Sequence, residues 1–224
     1  MPLQHRPNIL LLTTDQQRFD TLGCNGNTWI RTPHMDALAS RGVNFQRAYV
    51  QNTVCIPSRA CLQTGRYDHQ HGVEYMEEAI DDTPGLPAWE TTFMERLQAA
   101  GYRTCGFGKL HMLPPKGFHE LTICGGKGSR WTRSAGLEIG LGPLGRDYAA
   151  WLEARHPGAY ELIYEQRRRP EYAQFRTAIT NVLPLEEYVD YWTAENTIAC
   201  IRRGQTANFQ TAGNWCQSPP SRQP

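Results

Sequence analysis

The residues most suited to chemistry lie in one block, 51–66, which holds Cys55, Pro57 and Arg59. Proline fixes φ and carries no N–H, so Pro57 suits the first turn of a helix that we predict from Ser58 to Gln63. Cys55 would then lie at or just before a helix N-terminus, where the peptide dipoles favour negative charge. Arg59 follows about one turn later and could add positive charge. The block therefore predicts a site that handles an anion.

Two further pairs of polar residues follow predicted strands. Asp15 and Gln16 come directly after the apolar run 8–14, and their oxygens could bind a divalent cation. Lys109 and His111 lie at the end of segment 102–111, which we predict to be a strand that runs into a loop, and on an extended chain both would point to the same side. Each pair has an ordinary alternative, since Asp often caps a helix and Lys is rarely buried.

The cysteine block also resembles the signature C-x-P-S-R-A-x-L-x-T-G of the formylglycine-dependent sulfatases, which belong to the alkaline-phosphatase-like superfamily. The matching positions are Cys55, Pro57, Ser58, Arg59, Ala60, Leu62, Thr64 and Gly65. The resemblance implies that Cys55 is oxidised to Cα-formylglycine by a formylglycine-generating enzyme. It also implies metal ligands at Asp15, Gln16 and residue 55, a role for Arg59 in orienting the formylglycine hydrate, and sulfate contacts from Lys109 and His111.

The family resemblance implies hydrolysis of a sulfate ester, either a small molecule or a sulfated sugar. One hydroxyl of the hydrated aldehyde attacks sulfur and expels the alcohol, and the second hydroxyl then releases sulfate. The implied metal is Ca²⁺, with Mg²⁺ or Mn²⁺ as alternatives. Two other hypotheses stay open: a phosphonate monoester or phosphodiester hydrolase of the same superfamily, and a non-catalytic remnant with unmodified Cys55.

Spacing argues against two other cysteine chemistries. Only three residues separate Cys55 from Arg59, fewer than in the loop of a thiol phosphatase. A structural zinc site usually contains a C-x₂₋₄-C pair, and the sequence has no such pair.

The surrounding sequence predicts alternating strands and helices. We predict strands at 8–14, 43–50 and 102–111, and amphipathic helices at 32–42 and 91–101. The helix at 32–42 has Thr32 and Pro33 at its start, Gly42 at its end, and an apolar stripe of Met35, Leu38 and Ala39. The expected fold is therefore α/β, and the resemblance implies an alkaline-phosphatase-like three-layer sandwich with a mostly parallel central sheet.

The pattern weakens beyond Gly117. We predict a long loop to Gly145, a short helix at 147–153 and a longer helix at 184–202. Residues 204–224 are rich in Gln, Asn, Ser and Pro and predict a disordered tail. We therefore expect residues 1–203 to form the amino-terminal portion of a sulfatase catalytic domain that is incomplete at its C-terminus, and weakly active or inactive alone.

The composition indicates which partners and which cellular compartment to expect. The chain has 224 residues, a net charge of +1 and 40% hydrophobic residues, enough for a sizeable core. The small net charge and the absence of a long apolar run argue against nucleic-acid and membrane partners. Seven cysteines without the spacing of a disulfide framework, and no signal-peptide pattern, predict a cytoplasmic protein.

Overall fold

The computed structural model describes residues 7–15, 17–74, 85–110, 114–124, 146–171, 180–206 and 215–216. Its helices are α1 (Pro33–Arg41), α2 (Cys55–Thr64), α3 (Asp68–His71), α4 (Phe93–Ala99), α5 (Arg146–Arg155), α6 (Ala159–Arg168) and α7 (Val189–Thr206). Its strands are β1 (Ile9–Leu10), β2 (Thr104–Gly108), β3 (Glu120–Ile123) and β4 (Trp215–Cys216). Short 3₁₀ helices cover Phe19–Thr21, Gly23–Asn25 and Leu185–Glu187.

The four strands form one mixed sheet in the order β1-β4-β2-β3. Strands β2 and β3 are parallel, and Cys105 lies opposite Glu120 in their register. Strand β4 is antiparallel to both of its neighbours. The parallel pair and the surrounding helices confirm the α/β class. Strand β3 falls inside the region that we predicted to be a loop, and the remainder of that region, 125–145, lies outside the described residues.

Helix α1 begins and ends where its capping residues predicted. Thr32 is the N-cap, and its hydroxyl accepts a hydrogen bond from the Gly23 backbone N–H (2.8 Å) and lies 3.0 Å from Asp36 Oδ1. Its apolar stripe is not buried, however: Met35 is 39% and Leu38 61% exposed. The residue types at 32, 33 and 42 therefore predicted where the helix lies, but not how far its apolar face is exposed.

Two predicted strands differ in the structure. The first is limited to Ile9–Leu10, and Leu12 beyond it is 66% exposed. Residues 43–50 form no strand, and Val43 and Phe45 are more than 70% exposed. A strand requires a hydrogen-bonded neighbour and packed layers on its faces. Within the described residues, the first segment is paired only at Ile9 and Leu10, and residues 43–50 belong to no strand.

Separate clusters of buried apolar residues hold the helices and the sheet together. One core cluster contains Ile56 and Ala60 of α2 together with Val73, Leu86 and Leu110. Helix α4 buries Met94 completely, and a second cluster lies below α5–α7 around Tyr148, Leu152 and Trp192. A third cluster, of Cys105, Phe107 and Cys200, joins α7 to β2.

The helices after residue 145 agree in part with those predicted from the sequence. Helix α5 confirms the short helix predicted at 147–153, and α7 confirms the longer one, although Leu185–Glu187 forms a separate 3₁₀ turn. Helix α6 was not predicted. No helix in the described part of the chain combines the length and apolarity that a bilayer span needs. The tail predicted at 204–224 stays a prediction, because only its first residues, which end α7, and the two residues of β4 are described.

Candidate functional site

Helix α2 carries the cysteine of the sequence motif at its first residue. Val54 is the N-cap, and its carbonyl accepts a hydrogen bond from the Ser58 N–H at 3.0 Å. The helix therefore begins three residues earlier than we predicted, and Pro57 is buried within its first turn. Half-buried Cys55 lies beside N–H groups that have no partner within the helix, as predicted for an anion-handling position.

Strand β2 ends at a glycine that turns the chain out of the sheet. Gly108 has φ +90°, a conformation that side chains other than glycine rarely adopt. A Cβ at this position would lie 2.8 Å from Cγ2 of Thr193 on α7. Lys109 follows directly, so the close approach of α7 and the glycine conformation together set the direction in which Lys109 leaves the strand.

Three distant segments meet at Lys109. Its Nζ donates to Oδ2 of Asp15 at 2.7 Å, and both side chains are largely shielded, at 19% and 31% exposure. Arg59 Nη1 donates to the Lys109 carbonyl oxygen. The structure thus brings together Asp15, Arg59 and Lys109, three of the predicted site residues. Gln16 and His111 lie outside the described residues.

A cleft of about 990 Å³ opens beside these three residues. Within the described part of the chain, its lining includes Arg59 but not Cys55, which lies one helical turn further toward the start of α2. The walls come from the segment after β1, from the end of β2 and from α7, and include Leu10, Leu12, Phe107, Asp190, Thr193 and Ile198. Asp190 and Thr193 were not predicted, because nothing in the local pattern of α7 indicates which residues face β2.

Other thiols near the site are poor nucleophiles at neutral pH. Burial raises the pKa of Cys124, which lines the cleft, to about 11. Burial also raises the pKa of Cys61, whose sulfur lies 3.5 Å from Nε2 of His71. Because a thiolate is the reactive form of cysteine, neither residue can easily replace Cys55.

Two histidines, His69 and His71, lie in the short helix α3 that follows α2. His71 is 2% exposed, and its Nδ1 accepts a hydrogen bond from the Val73 N–H at 3.1 Å. Burial lowers the pKa of His71. Its role is therefore structural, beneath the end of α2, whereas exposed His69 stacks on Tyr67.

The fold and the motif define an alkaline-phosphatase-like α/β protein, and comparison with known proteins gives its family. A family model described as Sulfatase matches residues 7–127, more than half of the chain. The chain therefore belongs to the sulfatase family.

A similar curated relative is the N-acetylglucosamine-6-O-sulfatase of Bacteroides thetaiotaomicron, which is 36% identical over 123 residues. The match covers 54% of this chain and 21% of the relative, so the chain spans about a fifth of the relative's length.

Two solved structures are also similar. One, determined with its substrate D-glucosamine-2-N,6-O-disulfate, has 35% identity and a TM-score of 0.50 over 55% of this chain and 24% of the other. The second is the phosphonate monoester hydrolase of Agrobacterium radiobacter, with a TM-score of 0.62 and 22% identity over 87% of this chain and 38% of the other. At that identity the second structure supports the fold alone.

Proposed function

We propose that this chain contributes to the active site of a sulfuric ester hydrolase that uses formylglycine derived from Cys55. The observation that carries the proposal is the junction at Lys109, where Asp15 pairs with Nζ and Arg59 binds the carbonyl oxygen. These residues lie far apart in sequence, and the family resemblance implies that all three belong to one active site. Sulfatase family membership supports the assignment.

Each residue has a distinct role. The hydrated aldehyde at position 55 would supply one hydroxyl for attack on sulfur and a second for release of sulfate. The first turn of α2 would stabilise negative charge there through its N–H groups. Lys109 and His111 would neutralise the non-bridging sulfate oxygens. Arg59 would orient the hydrate, and its bond to the Lys109 carbonyl would fix the distance between helix and lysine.

The site also has a donor of the type that a hard divalent cation requires. Asp15 offers carboxylate oxygens, and Gln16 and residue 55 would complete the set contributed by this chain. Such a cation supplies positive charge that favours ionisation of the attacking hydroxyl. Ca²⁺ is our proposed metal, with Mg²⁺ or Mn²⁺ as alternatives. Because Ca²⁺ usually takes about six or more oxygen ligands, we expect weak metal binding and little turnover by this chain alone.

The substrate class follows from the relatives. One is named for a sugar sulfate, and another was solved with a sulfated glucosamine as its substrate. We propose a sulfated sugar or another small sulfate ester as substrate, a formylglycine-generating enzyme as partner, and the cytoplasm as the compartment.

The first experiment is mass spectrometry of the peptide around residue 55 after co-expression with a formylglycine-generating enzyme. Conversion should lower the peptide mass by about 18 Da, the change when an aldehyde replaces the thiol. Cys61→Ser is the control, because it removes a neighbouring thiol and leaves the motif cysteine. An unmodified Cys55 would support the non-catalytic alternative.

The second experiment compares aryl sulfate and phosphonate ester turnover by the converted protein, with and without added Ca²⁺. We expect low turnover that prefers sulfate, requires the metal and is abolished by Cys55→Ala. Preference for the phosphonate would overturn the assignment to sulfate esters. Robust turnover would instead refute our expectation that the chain is weakly active alone.

A further inference from the structure

Three side chains from three elements meet away from Lys109. Cys105 lies on β2, Cys200 on α7 and Glu120 on β3. Their sulfur atoms and a carboxylate oxygen all lie within 4.8 Å of one another. The two cysteines are 0% and 1% exposed, and Cys200 Sγ lies 3.5 Å from Oε2 of Glu120. Because Cys105 and Glu120 face each other in the parallel register, two of the three positions are fixed by the sheet.

We propose that Cys105, Cys200 and Glu120 form a binding site for Zn²⁺. Two sulfurs and one carboxylate oxygen are ligands that Zn²⁺ accepts in tetrahedral sites, and water would complete the coordination. Binding would form two Zn–S bonds and one Zn–O bond while the two thiol protons leave to solvent. Since one Zn²⁺ replaces two protons, the net charge of the cluster does not change.

Two arginines form ion pairs with the carboxylate of Glu120. Arg103 Nη2 lies 3.0 Å from Glu120 Oε2, and Arg203 Nη2 lies 2.5 Å from Oε1. They hold the carboxylate in place, as hydrogen-bonded groups around metal ligands commonly do. Their positive charge balances the Glu120 carboxylate, and the charge of the zinc ion would balance the two thiolates. Both arginines are more than one-third exposed, so the cluster borders solvent on the Glu120 side.

The zinc site is spatially separate from the proposed sulfatase site. Lys109 lies just past the end of β2, four residues after Cys105, which corresponds to roughly 13 Å on an extended chain. Their metals also differ in class, because thiolates select zinc and a hard cation such as Ca²⁺ selects oxygen. The zinc ion would cross-link α7 to β2 and β3, so its role is structural.

The test uses the full chain, reduced, stripped of metal with a chelator and then titrated with Zn²⁺ or Co²⁺. We expect one Zn²⁺ per chain by elemental analysis, a higher melting temperature on zinc addition, and a thiolate-to-cobalt charge-transfer band with Co²⁺. Ca²⁺ should produce none of these effects. Cys200→Ser should abolish the cobalt band, and Glu120→Gln should weaken zinc binding about tenfold or more. Cys61→Ser, which removes a buried thiol elsewhere, should bind like the wild type.

Several results would overturn the proposal. These are no zinc uptake by the wild type, unchanged uptake by Cys200→Ser, or loss of uptake in Cys61→Ser. If Cys200→Ser does not fold, Glu120→Gln keeps both thiols, and unchanged affinity in that variant has the same consequence. A Cys105–Cys200 disulfide that forms on mild oxidation, in a protein that takes up no zinc when reduced, would show a redox pair instead.

Discussion

Replacing Gly108 with alanine tests how β2 and α7 position Lys109. The substitution adds a single methyl group, and two separate costs follow from the structure. The backbone has φ +90°, and the new Cβ would lie 2.8 Å from Cγ2 and 3.3 Å from Oγ1 of Thr193. Thr193 cannot easily turn away, because its hydroxyl donates to the Val189 carbonyl oxygen at 2.8 Å.

The two costs can be estimated separately. A left-handed conformation costs an alanine roughly 1–2 kcal/mol. Forcing an extra carbon into a packed contact costs roughly 1–3 kcal/mol. Gly108→Ala should therefore lower the free energy of unfolding by roughly 2–5 kcal/mol. Gly26 is the matched control, because its φ is +94° and an added Cβ would meet nothing within 4 Å. Gly26→Ala should show only the conformational cost.

Urea denaturation of four proteins separates the contributions: wild type, Gly108→Ala, Thr193→Ser and the double variant. Serine keeps the hydroxyl that bonds to Val189 and removes the methyl carbon nearest the new Cβ. We expect Thr193→Ser to recover about 1 kcal/mol or more of the loss in the Gly108→Ala background. Equal losses for Gly108→Ala and Gly26→Ala, with no recovery in the double variant, would refute the close contact between β2 and α7.

Three further predictions concern the surroundings of the site. Thr92→Ala should cost about 1 kcal/mol, because the Thr92 hydroxyl accepts from the Glu95 N–H at 3.2 Å to cap α4, and thermal unfolding beside Thr91→Ala as control would measure it. Burial lowers the pKa of His71, so this histidine binds a proton more readily in the unfolded chain than in the folded protein. The free energy of unfolding should therefore be unaffected by His71 above about pH 6.5 and should fall as the pH drops from there toward the pKa of the folded state. Urea titrations from about pH 7.5 to about pH 5.5 should show a shallower decline in His71→Gln, and parallel curves would contradict this. A double-mutant cycle with Lys109→Met and Asp15→Asn should give a coupling energy of about 1 kcal/mol that decreases in high salt. A coupling energy of zero at low salt would show that the two side chains do not interact.

The sequence predicted helices better than strands because helix signals are local. Thr32, Pro33 and Gly42 bound α1, and Thr92 with Glu95 forms the capping box that begins α4. A strand depends on partners that the local pattern does not identify. The apolar runs at 8–14 and 43–50 resemble strands, but only Ile9 and Leu10 are paired, and much of both runs is exposed.

The residues of the candidate site were likewise predictable from local patterns, whereas the contacts between them were not. The cysteine motif predicted Cys55 and Arg59, and the family resemblance predicted Lys109, since chemistry restricts which residue types can occupy such positions. The sequence could not predict that Arg59 binds the Lys109 carbonyl oxygen or that Thr193 lies close to Gly108, because both contacts depend on tertiary packing. The search for closely spaced cysteines likewise missed Cys105 and Cys200, which only the contact between α7 and β2 brings together.

One helix–strand contact positions both proposed sites. Cys200 lies against Cys105 near the start of β2, and Thr193 lies against Gly108 at its end. Three residues of strand span about 10 Å, and seven residues of helix span about 10.5 Å, so α7 runs antiparallel to β2 with matching spacing. Residues seven apart also share a helix face. A shift of α7 by one turn would separate the zinc ligands and simultaneously remove the contact that aims Lys109. Because the two sites share this register, a zinc cross-link at the start of β2 would also hold the turn at its end, even though the metal never contacts the substrate.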